Sequence, residues 1–334
     1  MARADVFLLL CSLGWALAVL GCSPEAEKPT AAPAVAEPAP AVEPRGPVEA
    51  TDLFGEPLHR PQLSPDAAAK QERLLADAVA DRAADPESPD AWIWVGRRQA
   101  YLGRYGDAIA TYSEALERLG ATPELYRHRG HRYLTTRRLD PALADFEMAA
   151  DLIDGRPDVI EADGLPNPQG IPTSTLGTNV WYHLGLARYL KADVEGALDA
   201  YRECLELSKN PDMRVATSYW LYLTLRRLGR DAEAAEVLEP VAGELDLLEN
   251  HAYHRLLRVY AGTSNVDAET LLAEARGSGE AAFATTGYGV GAWRWLEGDH
   301  DGAQSIWRQI LDTDAWSSFG YLAAEAELAS PAQP

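Results

Sequence analysis

An all-α solenoid of paired helices is the fold class that this 334-residue sequence predicts. Three observations carry it. The 34-residue segment Pro89 to Thr122, PDAWIWVGRRQAYLGRYGDAIATYSEALERLGAT, sets apolar and small residues at helical spacing on both sides of a central turn. The next 34 residues repeat the pattern in phase, the mark of an array in which each unit buries its apolar face against its neighbours. Single helical stretches flank the repeats at both ends, as capping elements must if the outermost apolar faces are to be covered.

In chain order, the first element is the apolar run Val6 to Leu20. It is too short to span a membrane comfortably and suits the centre of a secretory signal, residues 1–21. Its end, Val19-Leu20-Gly21-Cys22, resembles a bacterial lipobox, in which the cysteine takes a diacylglycerol before cleavage in front of it. That resemblance implies a lipidated Cys22 at the mature N-terminus, and Ser23 behind it implies sorting to the outer membrane. Residues 22–57 then form a tether: seven prolines and eight alanines between 23 and 50 leave almost nothing to bury, so the segment stays extended. With Cys11 removed and Cys22 acylated, only Cys204 remains, which excludes a disulfide within the mature chain.

Residues 58–88 hold a lone capping helix, Pro65 to Ala84, and residues 89–154 the first two repeats. In the first, Trp92, Val95, Gly96, Ala108, Tyr112 and Ala115 occupy positions 4, 7, 8, 20, 24 and 27; in the second, Tyr126, Gly130, Ala142, Phe146 and Ala149 keep the register. Small residues at 8 and 20 let two antiparallel helices cross closely, while larger side chains fill the space around them. The pattern closely resembles the tetratricopeptide repeat (TPR), and the resemblance implies a right-handed superhelix whose first helices line a concave groove. An insertion, residues 155–177, delays the third copy, which starts at Thr178 with Trp181, Leu184, Gly185, Ala197, Tyr201 and Cys204 in place. Leu176, Val180 and Leu184 are spaced four apart, so its first helix starts early, capped by Thr173 or Ser174. Repeats three to six fill residues 178–316, the fifth degenerate. Residues 317–334 supply a closing helix, whose outer side can face water, and a tail.

With 30 basic and 51 acidic residues, net −21, the composition argues against a nucleic-acid binder. Against that background Arg97 to Arg138 is an island of nine arginines and four acids. The TPR resemblance places Arg127, His128 and His131 in the groove, followed by Asn179, Tyr182 and His183, then Tyr219 and Arg226, then His251 and His254. Guanidinium forks pair with carboxylates, so such a groove suits an acidic segment or chain end of a protein or peptide partner. Arg132 and Arg138 fall off the groove and are expected to pair with acids on neighbouring helices. In the insertion, Asp158, Glu161 and Asp163 precede the stiff LPNPQGIP segment, which makes Asp163, Asn167 and Thr173 candidate residues of a lid over the arginine island.

The rival reading is a metal-binding protein or metal-dependent enzyme that uses the groove histidines, since His128 and His131, like His251 and His254, share a helix face. Neither pair belongs to an H-E-x-x-H motif. Gly287 to Gly291 lacks the strand and the Lys-Ser or Lys-Thr of a phosphate loop, and no nucleophile-base pair is identifiable. The sequence therefore predicts no catalytic residue, no resident metal and no cofactor. The segments SYWLYLTLRRLGRDAEAAEVL and GYGVGAWRWLEGDHDGAQSIW, read on into FGYLAAEAEL, resemble the adaptor lipoproteins that hold cell-wall hydrolases. That resemblance implies a non-enzymatic scaffold, lipid-anchored to the outer membrane and facing the periplasm, with a cell-envelope enzyme as partner.

Overall fold

The structure, a computed structural model, describes residues 46–162 and 164–330. The signal, Cys22, most of the tether, Asp163 and residues 331–334 lie outside the described residues. A short antiparallel hairpin, β1 (Val48–Thr51) and β2 (Pro57–His59), comes first, then a lone helix, α1 (Pro65–Ala84). Six helix pairs follow, the first four being α2 (Pro89–Tyr101) with α3 (Tyr105–Leu119), α4 (Pro123–Thr135) with α5 (Leu139–Ile153), α6 (Leu176–Leu190) with α7 (Val194–Leu207), and α8 (Pro211–Arg227) with α9 (Asp231–Leu238). The shorter α10 (His251–Tyr260) and α11 (Ala268–Gly277) precede α12 (Glu280–Leu296) and α13 (His300–Leu311), and α14 (Phe319–Ala329) ends the array. It is an all-α helical-repeat solenoid.

Local chemistry starts these helices. Proline stands in the first turn of α1, α2, α4 and α8, where its missing N–H costs nothing. Ser64, Asn210, Asp267 and Ser318 accept hydrogen bonds from first-turn amides. Helix α6 begins at Leu176 under a reciprocal cap of Thr175 and Thr178, not under Thr173 or Ser174. Those two side chains are engaged elsewhere: Thr173 Oγ1 donates to Glu249 Oε2, and Ser174 Oγ accepts from Asn179 Nδ2.

Within a repeat, an aromatic ring of the second helix lies directly on a glycine of the first. Tyr112 covers Gly96, Phe146 covers Gly130, Tyr201 covers Gly185 and Trp307 covers Gly291, each so closely that a Cβ would press into the ring. The turn between the two helices needs a left-handed residue, supplied by Gly103, Gly229, Gly262 and Gly298. The second and third repeats put Arg137 (φ 61°) and Ala192 (φ 60°) there instead. A side chain in this conformation costs about 1–2 kcal/mol, and at Arg137 the return is visible. Its guanidinium forms a buried ion pair with Glu325 of α14, 2.6 Å from Nη2 to Oε2, and lies over the rings of Trp316 and Tyr321.

Two expectations are corrected here. The closing helix does not turn an outer side to water: Gly320 to Ala326 are all buried, because the superhelix curls tightly enough for α14 to return to the first helices of earlier repeats. Phe319 packs on His131, Tyr182 and His183, Glu327 pairs with Arg227, and Tyr288 Oη donates to Tyr189 Oη. The tether, read as residues 22–57, gives way to the β-hairpin before it ends. There Glu49 holds Arg60 and accepts from Tyr105 N, and Trp316 Nε1 donates to His59 O.

Close seating of α14 is testable at Gly320, where a Cβ would overlap the carbonyl oxygen of Ala284 in α12. That obstacle is backbone and cannot rotate away. Gly320→Ala is expected to cost about 1–3 kcal/mol, a fall of several degrees in thermal midpoint. Gly277→Ala, with open space around it, should leave the midpoint unchanged. Equal midpoints for the two variants would show that α14 is not packed against α12 in this way.

Candidate functional site: the arginine-rich inner face

The inner face of the first two repeats is built by α2 and α4, bordered by α6 of the third repeat, and covered by the inserted loop. Arg127 on α4 is 9% exposed. Its Nη1 donates to His128 Nδ1 at 3.0 Å, and its Nη2 lies 3.2 Å from Glu161 Oε1 in the loop. Because Nδ1 of His128 accepts from a guanidinium, the ring proton sits on Nε2, which faces the same Glu161 oxygen at 3.3 Å. The other carboxylate oxygen accepts from Asn179 Nδ2 at 3.1 Å.

Around this centre the charge is one-sided. Arg97 and Arg132 are close enough to Arg127 to depress its affinity for a proton, adding to the larger effect of burial, while Glu161 opposes them. Arg97 Nη1 donates to Ala162 O in the loop, and its guanidinium also lies over Trp94. Arg132 corrects the expectation that it pairs with acids on neighbouring helices. It stacks over Tyr105, as Arg138 does over Tyr133, and among the described residues neither makes an ion pair. Sequence reasoning passed over Arg97 and expected an ion pair of Arg132 where it stacks on a ring instead. The signal for Arg97 was available, since it holds position 9 of the first repeat, which by the TPR resemblance faces the groove.

The loop crosses this face by specific contacts. Gly164 is buried so tightly on α2 that a Cβ would meet the Tyr101 hydroxyl and the Arg97 guanidinium. Further along, Asn167 Nδ2 donates to Glu249 Oε1 at 2.8 Å, Thr173 Oγ1 to Glu249 Oε2 at 3.0 Å, and Asn210 Nδ2 to Thr173 O at 2.7 Å. Asp163, the third lid candidate, lies outside the described residues.

The remaining groove candidates do not line an open channel. Tyr219 is fully buried and stacked on Tyr253, and Tyr182 Oη accepts from Trp220 Nε1 at 2.7 Å. Arg226 pairs with Asp231 and Glu297 and donates to Tyr222 Oη. His254 Nε2 donates to the carbonyls of Val241 and Gly243, whereas His251 is exposed. The physical reason is the same as for α14: tight curling packs the first helices and the closing helix together, so inward-facing side chains become interior.

His131 and His183 illustrate this. Their rings lie 4.6 Å apart, with Phe319 against both, and His183 Nδ1 donates to Asn179 O at 2.6 Å. Burial, with Arg127 adding to it, pushes the His183 imidazole down to about 3, and burial likewise holds His128 and His131 well below the ordinary histidine range. Neutral rings among arginines are packing and hydrogen-bonding groups. Among the described residues no three His, Cys, Asp or Glu side chains converge as a metal-ligand set.

Residues 178–211, the third repeat, match the family model of the tetratricopeptide repeat. Among solved structures, YrrB, described as a TPR protein with an unusual peptide-binding site, is similar at 15% identity over 70% of this chain and 91% of that one, with a TM-score of 0.40. A tetratricopeptide repeat protein from Parabacteroides merdae is similar at 13% identity over 77% of this chain and 99% of that one, with a TM-score of 0.42. No curated protein matches the chain.

Proposed function

We propose that this protein is a non-enzymatic scaffold of the bacterial cell envelope. Lipidated Cys22 anchors it to the outer membrane facing the periplasm, and the arginine-rich inner face of the first two repeats holds a partner protein or peptide, a cell-envelope enzyme being the class of partner expected. One observation carries the binding role: Arg97, Arg127 and Arg132 stand within electrostatic reach of one another in a chain of net charge −21, and Glu161 is the described carboxylate set among them. Like charges gathered at partly buried positions oppose folding, and an anionic ligand offsets that cost. The lipobox-like Cys22 and the proline-rich stretch behind it support the anchoring.

Arg97 and Arg132 are half-buried, so reversing their charge tests the face without emptying the core. Crosslinking from intact envelopes should recover a reproducible set of envelope proteins with the native chain and lose its main members with Arg97→Glu/Arg132→Glu, while Cys22→Ala moves the protein out of the membrane fraction. An unchanged crosslinked set removes the binding role. Membrane retention of the Cys22 variant removes the anchor.

A further inference from the structure

The inserted loop brings to the arginine-rich face the chemical group that such a face receives. We propose that Glu161 is a built-in occupant of its carboxylate subsite, and that an acidic segment of a partner binds by displacing Glu161, so that the loop opens as the ligand enters. This rests on the reading of that face as a partner site.

Three observations support it. First, Glu161 takes three donors that a ligand carboxylate would want: Arg127 Nη2 at 3.2 Å, His128 Nε2 at 3.3 Å and Asn179 Nδ2 at 3.1 Å. Donor capacity is still left over, since Arg127 Nε is buried without a partner in a residue 9% exposed. Second, the loop's hold on the face is polar. Its large aliphatic residues point away, with Val159, Ile160, Leu165 and Ile171 exposed by 50, 72, 66 and 52%. Little apolar burial opposes release, and the ion pair, with side chains only 10 and 12% exposed, is given up when another carboxylate takes over the same donors. Third, the loop has a fixed base from which to swing. Ile160 bridges Thr175 in antiparallel fashion, and Leu176 N donates to Val159 O at 2.8 Å next to the capped start of α6.

Exchange then replaces one carboxylate by another on the same donors. A self-occupied site lowers apparent affinity by the fraction of molecules in which the subsite is free. Removing the charge of Glu161 therefore strengthens binding, the opposite of what loss of a ligand-contacting residue does. Glu161→Gln keeps the shape and an acceptor for Asn179.

The test uses the full chain and a fluorescein-labelled hexaglutamate peptide, read by fluorescence anisotropy at low salt. Glu161→Gln is expected to bind about fivefold or more tightly than the native chain, and Arg97→Glu/Arg132→Glu to abolish binding in both backgrounds. Hydrogen exchange on the native chain gives an independent reading: the peptide should accelerate exchange over residues 161–173, between the fixed ends of the loop. Equal affinity of the native and Glu161→Gln chains, with binding still lost on reversing Arg97 and Arg132 and exchange unchanged, overturns displacement and leaves the partner site standing. No binding by any variant overturns the site and the displacement together.

Discussion

Replacing Glu325 by alanine is expected to lower the unfolding free energy by about 3–5 kcal/mol, the range for breaking a buried ion pair from one side. Glu325 is fully buried and Arg137 nearly so. The carboxylate accepts from Arg137 Nε at 3.1 Å and Nη2 at 2.6 Å, and from the Leu53 amide at 2.8 Å. Alanine strands a guanidinium in the interior together with the amide of the N-terminal hairpin, and Arg137 still sits at φ 61° without the ion pair, keeping only its bond to Thr135 O and its contacts with Trp316 and Tyr321. Arg137→Gly separates these contributions: glycine relaxes the turn but leaves the carboxylate stranded, so most of the loss should persist. Arg137→Met/Glu325→Leu should recover much of it, because an apolar pair of similar volume removes both desolvation penalties. Urea unfolding measures all three. A loss under about 1 kcal/mol for Glu325→Ala is the surface-pair value and would place this contact in solvent.

Acid lability is the second large effect. His183 is pushed down to about 3 in the folded chain by burial, with Arg127 adding to it. His128 and His131 are held well below the usual range, first by burial and then by Arg127 and Arg132 respectively. Unfolding releases these rings to titrate near their ordinary value of about 6.5. As pH falls the unfolded chain takes up the protons first, so stability is complete above about 6.5 and is lost progressively below it. Between pH 6.5 and 5, His183 alone accounts for about 2 kcal/mol, and His128 and His131 act in the same direction. Thermal unfolding at pH 7 and pH 5 checks this, and His183→Gln should narrow the difference. Equal midpoints at the two pH values would mean that the rings are hydrated and titrate freely.

What was legible in the chain was whatever is written locally. Positions 8 and 20 must be small wherever two helices cross, so Gly130 with Ala142 and Gly185 with Ala197 announce the repeat to any reader who counts, and the family match begins at Thr178, where that count starts the third copy. The Thr175–Thr178 cap was blurred by one or two residues because four hydroxyl residues compete between 173 and 178. What was not legible is where the curl of the superhelix brings distant residues together. Glu325 and Arg137 are 188 positions apart, and no periodicity links them. Phe319, apolar at the head of a small-residue helix, looks the same in sequence whether it caps an outer edge or fills the space beside His131 and His183. The β-hairpin was hidden by proline-rich composition, since its partners Tyr105, Trp316 and Glu325 lie far along the chain. At the candidate site, the arginine island and the acids of the insertion were readable as opposite charges. That Glu161 was the one to reach Arg127 depended on the path of the loop.

The bond from the Leu53 amide to Glu325 spans 272 positions, and it changes the kind of molecule this is. In an open solenoid each unit answers only to its neighbours, so the ends fray and unfolding spreads inward one repeat at a time. Here the first hairpin and the last helix share one buried carboxylate with the second repeat, and neither end can loosen alone. The chain should melt in one concerted step. Folding should also wait on its slowest event, since the clasp closes only after nearly the whole chain has been gathered and the entropy of that long loop has been spent.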